Sequence, residues 1–341
     1  MILLNKMINT DKKIIECVPN FSEGQNADII DKIASSVQSI RNVKLLNVEP
    51  DRDYNRTVIT FAGEPCCVKE AAFKAISTAS ELIDMSRQKG EHPRIGATDV
   101  CPLIPVVNVT KDECVKLSNE LGKDVADKLG IPVYLYEDAA RSAERRNLEN
   151  IRKGEYEGLE QKLKNWIPDY GPTEYSDKVR KSGAIVIGSR FFLIAYNVNL
   201  NTRDVSIANE IAKKVRESGS ITIDEEGVKK RSPGILKYLK AIGVELNEYN
   251  ITQVSLNLTS YKETSLHKVF ETIKAQAKGY SAEATGSEII GLVPKEALIE
   301  AGVFYTGNNS EDNLIAAAIE HLGLSQLNTF EPERKIIENL L

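Results

Sequence analysis

Apolar residues recur along this chain with two alternating periods. The run IIECVP (14–19) is rich in β-branched residues and stops at proline, as a short strand does. In ADIIDKIASSVQSI (27–40), Ile29, Ile30, Ile33, Val37 and Ile40 return at helical spacing. VKLLNVEP (43–50) and RTVITFAG (56–63) read as strands around the polar turn DRDYN. A long helix follows over 65–88, opened by Pro65, a residue favoured in the first helical turn. VCPLIPVVNV (100–109) is a strand interrupted by prolines, expected at a sheet edge or with a bend. Thr110 and Glu113 have capping-box spacing before the helical VKLSNELGKDVADKLG, and IPVYLYE (131–137) is again a strand.

The second half repeats the pattern. AIVIGSRFFLIAYNVNL (184–200) is too long for one strand and is expected to turn at Gly188–Ser189. SIANEIAKKVRESG (206–219) is a glycine-terminated helix, and LKAIGVEL and ITQVSLNLTS flank the turn NEYN as a hairpin. A helix over 265–279 and a strand over 287–294 complete the set. The order βαββαβ thus occurs twice, over 14–109 and over about 191–293, which is the ferredoxin-like arrangement. The predicted fold class is α/β (α+β), with two ferredoxin-like subdomains and a ligand cleft between them. The irregular stretch 165–183 marks the boundary, giving subdomains 1–182 and 183–341.

Composition narrows the chemistry. With 341 residues and a net charge of −5, a broad basic surface for nucleic acid is not expected. The apolar start MILL is too short for a signal segment, and no apolar run approaches the ~18 residues of a membrane span. The five cysteines include no CxxC pair, and the adjacent Cys66 and Cys67 have poor spacing for a metal or a disulfide, so reduced thiols in the cytoplasm are expected. No phosphate-binding GxxxxGK[ST], GxGxxG, HExxH or GxSxG occurs.

Three histidines are present, and His92 stands in KGEHPRIGATD (89–99). Pro93 disfavours helical geometry there, so His92 and Arg94 are expected on one side of an extended segment entered and left at Gly90 and Gly96. A base beside a cation suits acid–base work on an anionic substrate, although a turn or surface histidine fits the spacing equally simply. Glu49, Asp51, Asp53, Asn55 and Arg56 could line a site at strand ends or form a solvated turn. Asn20 and Ser22 could cap a helix or meet a ligand. Trp166 is expected to pack, His267 to be structural, and His321 to lie near a helix C-terminus.

Taken in order, ECVPNFSEG, NRTVITFAG, ELIDMSRQKGEHPRIGATDVCPLIPV, IPVYLYE, IRKGEYEGL, WIPDYGP, FFLIAYNVNL and GLVP closely resemble the formiminotransferase domain of glutamate formiminotransferases. The resemblance implies transfer of a formimino group from N-formiminoglutamate to N5 of tetrahydrofolate, here by a stand-alone transferase. It implies that His92 is the catalytic general base and acid, and that Gly171, Pro172, Thr173, Glu174, Tyr175, Ser182 and Gly183 bind folate. Arg94, Glu49, Asn55, Arg56 and Asn20 are the substrate-binding candidates; Glu49 stands where the family usually has aspartate. Tetrahydrofolate serves as co-substrate and the chemistry needs no metal. The resemblance further implies a homodimer without nucleic-acid or membrane partners, and a separate cyclodeaminase to take the product. Two alternatives are formyl transfer between 5-formyltetrahydrofolate and glutamate, and a folate-binding protein without catalysis.

Overall fold

Residues 13–52, 54–90, 93–223 and 229–340 are described by the computed structural model. Strands β1 (Ile14–Cys17) and β2 (Asn20–Phe21) are two pieces of one line, broken at Val18 and Pro19. Helix α1 (Ala27–Gln38) follows, then β3 (Val43–Asp51), β4 (Arg56–Gly63), α2 (Pro65–Leu82) and β5 (Thr98–Val107). The antiparallel order β3-β4-(β1, β2)-β5 is that of a ferredoxin-like sheet, as the alternation of periods predicts.

The helices take one face because their apolar stripes match one set of strand positions. Asn26 caps α1 by accepting from the Ile29 N–H at 3.3 Å. Ile30, Ile33 and Val37 then turn inward. Helix α2 presents Ala71, Ala72, Ala75 and Ala79, small enough to lie close on the sheet. Beneath them sit Ile15, Cys17, Phe21, Ile59 and Phe61, all essentially inaccessible. The helix predicted over 65–88 stops at Leu82. Ile83 is extended, and the Asp84 side chain accepts from the Ser86 N–H at 3.0 Å, which favours a turn over a further helical turn.

The strand with two prolines lies inside the sheet rather than at its edge. After α3 (Lys111–Leu129) and β6 (Val133–Glu137) come α4 (Ala143–Arg146), α5 (Leu148–Arg152), α6 (Leu159–Asn165) and α7 (Asp177–Ser182), then β7 (Ile185–Ser189). Strand β7 runs parallel to both β5 and β6 and sits between them. Two local breaks accommodate the prolines. Pro102 falls at the gap between β1 and β2, and its carbonyl accepts a long bond from Val18 N–H. Pro105 lies beyond β7's pairing and opposite Ile15, where the register with β1 shifts. The predicted capping box of α3 is present: Glu113 N–H donates to Thr110 Oγ1 at 3.2 Å and Thr110 N–H to Glu113 Oε2 at 2.7 Å.

The chain divides into two compact units between Phe191 and Phe192, later than the predicted division after residue 182. The reason is β7, whose hydrogen bonds commit it to the first sheet. The second unit contains β8 (Ile194–Leu200), α8 (Val205–Val215), the hairpin β9 (Ser220–Ile223) and β10 (Lys229–Ser232), β11 (Leu239–Leu246), β12 (Ile251–Leu258), α9 (Leu266–Lys278) and β13 (Ala284–Ile290). Its sheet order, β11-β12-β8-β13, repeats the ferredoxin-like order of the first unit. Among the described residues no helix is long and apolar enough to cross a membrane.

Helices α10 (Lys295–Thr306) and α11 (Glu311–His321) form an added pair, joined at a glycine. A Cβ placed on Gly302 would lie 2.1 Å from the Leu314 carbonyl oxygen. Backbone cannot yield there without separating the helices. Gly302→Ala is therefore expected to lower the unfolding free energy by about 1–3 kcal/mol, read from urea denaturation; a midpoint equal to wild type would contradict this packing.

Candidate active site

Register fixes which predicted site residues share a face of the first sheet. Glu49 on β3 lies opposite Val58 on β4, Val58 opposite Asn20 on β2, and Asn20 opposite Val100 on β5. Directly opposed residues point to the same side, and Arg56, two positions from Val58, joins them. This is the face away from α1 and α2. The Arg56 guanidinium reaches Asn20 Oδ1 at 3.4 Å. Burial pulls its pKa below the ordinary arginine value, while the nearby Asp51 carboxylate acts in the opposite direction. Glu49 is exposed and accepts from Asn47 Nδ2 at 2.7 Å.

Asn55 has a different place. It adopts a left-handed backbone, φ 49°, at the end of the β3–β4 turn, a conformation asparagine tolerates better than most residues. Its Oδ1 accepts from Gly24 N–H at 2.9 Å, and its Nδ2 donates to the Lys89 carbonyl at 2.7 Å. Gln88 Nε2 donates to the Asn55 carbonyl at 3.0 Å. Asn55 thus ties the loop before α1 and the segment before His92 to the same turn.

His92 lies outside the described residues, as do Glu91 and Asp53. The chain on both sides of it is held by many contacts. Arg94 is 7% exposed, and all five of its guanidinium N–H donors are used. Nη2 donates to Glu157 Oε1 at 2.8 Å, Nη1 to Glu155 Oε2 at 3.2 Å, and Nε to Gln88 Oε1 at 2.9 Å. The remaining two go to Glu157 Oε2 and the Gln88 carbonyl. The sequence suggested a cation for a substrate carboxylate; in the structure two glutamates already neutralise it. Its hydrogen bonds hold the Glu157 carboxyl below the usual carboxylate range.

Further along, Ile95 N–H donates to Asp99 Oδ1 at 3.0 Å, and Arg152 pairs with the other Asp99 oxygen. Burial pushes the Asp99 carboxyl up, and Arg152 pulls it back down. Neither Asp99 nor Arg152 was singled out from the sequence. The available signal was one carboxylate inside the apolar strand TDVCPLIPVV. Ser22 Oγ donates to the Gly96 carbonyl at 2.8 Å.

The predicted folate segment meets the same region at its C-terminal end. Gly96 and Gly183 form a backbone bridge, with Ala97 N–H on the Ser182 carbonyl at 2.8 Å and Ala184 N–H on the Ile95 carbonyl at 2.9 Å. A Cβ on Gly183 would lie 2.4 Å from the Gly96 Cα. Two glycines facing one another let these backbones touch. At the N-terminal end, Gly171 has φ 92° and crosses close to the Ile131 carbonyl. Thr173 and Glu174 are exposed; Pro172 is half-buried, as is Tyr175, whose hydroxyl donates to the Tyr156 hydroxyl at 3.2 Å. Just before this segment Asp169 is a buried anchor, paired with Arg145 at 2.6 Å and accepting from Leu135 N–H at 2.8 Å. Trp166 packs half-buried against Tyr134, with Lys162 and Arg145 over its ring.

Two open depressions border the His92 segment. One of about 850 Å³ is lined by Glu23, Gln25, Asn55, Arg87 and Lys89, among others. The other, of about 600 Å³, is lined by Lys89, Gly90, Arg94, Gly154, Glu155 and Glu157. The second unit carries a polar row that the sequence reading missed. Gln253 Nε2 donates to Asn199 Oδ1 at 2.7 Å and to Glu288 Oε1 at 2.9 Å, and Asn197 Nδ2 to Glu288 Oε1 at 3.1 Å. Its signal was the alternation YNVNL in an apolar strand. His267 stacks on Phe304, and His321, in the last turn of α11, stacks on Tyr305.

The Arg94–Glu157 contact has a definite pH signature. A carboxyl depressed by a folded-state partner contributes stability above its ordinary range and loses it as pH falls through the depressed value. Glu157→Gln should therefore flatten part of the fall in melting temperature between about pH 7 and about pH 3. Parallel melting curves for wild type and variant across that range would count against the contact.

With this geometry in place, comparison with known proteins is specific. Residues 14–190 match the formiminotransferase domain, N-terminal subdomain, and residues 195–341 match the formiminotransferase domain. The chain is 45% identical over 337 residues to a formimidoyltransferase-cyclodeaminase of Dictyostelium discoideum, of which it spans 60%. It is 44% identical to a glutamate formimidoyltransferase of Streptococcus pyogenes serotype M1, the match covering 86% of this chain and 93% of that one. A glutamate formimidoyltransferase of Thermoplasma acidophilum is 40% identical, with 90% and 97% covered. The chain belongs to the formiminotransferase domain family.

Proposed function

We propose that this protein transfers the formimino group of N-formiminoglutamate to N5 of tetrahydrofolate, giving 5-formiminotetrahydrofolate and glutamate. The observation that carries this reading is the near full-length match to two relatives named glutamate formimidoyltransferase. The reaction makes plain demands on a site. N5 attacks the amidine carbon and must lose its proton. The C–N bond to glutamate then breaks, and that nitrogen must gain a proton to leave. One imidazole near neutral pKa serves both steps through a tetrahedral intermediate, and His92 is assigned that role.

The surroundings support the assignment. A shuttle must be held within hydrogen-bond reach of both nitrogens. Asn55, Arg94 and Asp99 fix the chain close to His92 on either side. Arg56 and Asn20, on the face away from the helices, are candidates for a substrate carboxylate and an amide partner. Glu49 is the exposed acid of that row. Arg94 and Asn55 act as positioning residues, since their donors are committed. The folate is assigned to the segment from Gly171 to Tyr175 and to Ser182 and Gly183. A cytoplasmic homodimer is part of the proposal, and so is a separate cyclodeaminase that consumes the product; relatives that carry both names in one chain support the latter.

The test is a steady-state assay with tetrahydrofolate and N-formiminoglutamate on wild type and His92→Ala. The variant is expected to lose roughly 10²–10⁴-fold in kcat. Turnover equal to wild type would remove His92 from the mechanism. Wild-type turnover of N-formylglutamate but not of N-formiminoglutamate would overturn the donor assignment.

A further inference from the structure

Cys17, Cys101 and Cys114 are buried, whereas Cys66 is exposed and Cys67 half-buried, in the first turn of α2. As neighbours in sequence they look badly spaced for a metal. In the structure their sulfurs are 3.7 Å apart. Two thiolates bound at about 2.3 Å to one tetrahedral zinc-like ion lie about 3.8 Å from each other. The pair therefore already holds the separation that a shared ion requires.

A third donor stands beside them. Glu64 occupies the N-cap position of α2, but its side chain makes no capping hydrogen bond. One of its carboxylate oxygens and both sulfurs lie within 4.8 Å of one another. The local charge also suits a cation. Glu70 follows one turn later on α2. The nearest ammonium group on the helix, Lys69, is drawn off to α3 by Glu120 at 3.3 Å and Asp124 at 3.4 Å.

We propose that Glu64, Cys66 and Cys67 form a binding site for a thiophilic divalent cation of the Zn²⁺ or Cd²⁺ class. Each ion bound displaces the two thiol protons to solvent. The two sulfurs and one oxygen leave a fourth tetrahedral position for water. Soft thiolates select such ions over Mg²⁺ or Ca²⁺. The site lies at the far end of β4 from Arg56, a separation of about 23 Å along the eight-residue strand. Occupancy is thus independent of the formimino transfer proposed above.

The full-length, metal-free protein is titrated with Cd²⁺ while the thiolate-to-metal charge-transfer absorbance is followed. One ion per chain is expected, with the band lost in Cys66→Ser and in Cys67→Ser. Glu64→Gln is expected to weaken binding by at least about tenfold, the loss that even outer-sphere partners of a metal produce. Circular dichroism and formimino-transfer activity of the three variants should match wild type, since these side chains are peripheral. A titration without the band overturns the proposal. So does a band that survives in the double serine variant, which would assign the ion to the buried Cys17 and Cys101, whose sulfurs are 3.5 Å apart. Unchanged affinity in Glu64→Gln overturns the three-donor assignment.

Discussion

A buried cation is tolerated only when its charge is met and its donors are used, and Arg94 meets both conditions through Gln88, Glu155 and Glu157. Much of the site's form follows from that requirement. The segment between α2 and β5 has little regular structure, so its own backbone cannot supply rigidity. Rigidity comes from outside: the guanidinium binds the segment to the chain after α5, Asn55 binds it to the β3–β4 turn, and Asp99 holds the Ile95 N–H from within β5. Arg94 is buried while the side chains of Glu155 and Glu157 reach solvent, so it is the guanidinium that would be left unmet if these contacts were lost.

Polar groups are also divided between the two faces of the first sheet. Helices α1 and α2 cover one face with alanine and β-branched residues, which excludes water. The other face carries Glu49, Asn20 and Arg56 in adjacent register positions. Burial weakens the hold of Arg56 on its proton, and Asp51 opposes the effect. Arg56 thus stands beside Asn20 and near Asp51 on this face, whereas Arg94 is held by two glutamates beside the His92 segment. Two arginines that look alike in the sequence thus take unlike roles.

Features governed by short-range physics were legible in the sequence. The alternation of periods predicts both βαββαβ orders, and the Thr110–Glu113 spacing predicts a capping box that is present. Asn20, Glu49 and Arg56 could be named from polarity at strand ends, although only register shows that they share a face. Features made by distant partners were not legible. Arg94 is neutralised by residues 61 and 63 positions away. The prolines of β5 imply an edge or a bend, and only the break between β1 and β2 opposite Pro102 and the register shift at Pro105 decide for a place inside the sheet. The division between the compact units lies later than residue 182 because β7 pairs with β5, which nothing local reveals. Likewise, the adjacency of Cys66 and Cys67 does not disclose the sulfur separation set by the first turn of a helix.

The order of strands in the first sheet also bears on how the chain is made. Strand β6 is completed at Glu137, but β7, its one neighbouring strand among the described residues, ends at Ser189. During synthesis β6 first meets the backbone of Asp169 and Tyr170, and some fifty residues of chain pass before β7 arrives to bridge it to β5. Domains generally fold as units during translation, N-terminal ones first, at ~5–20 residues per second. On a ribosome the ferredoxin-like part of this unit is thus free to assemble early, while VYLYE stays outside the sheet for several seconds. During that interval the strand's open edge can meet wrong partners or chaperones.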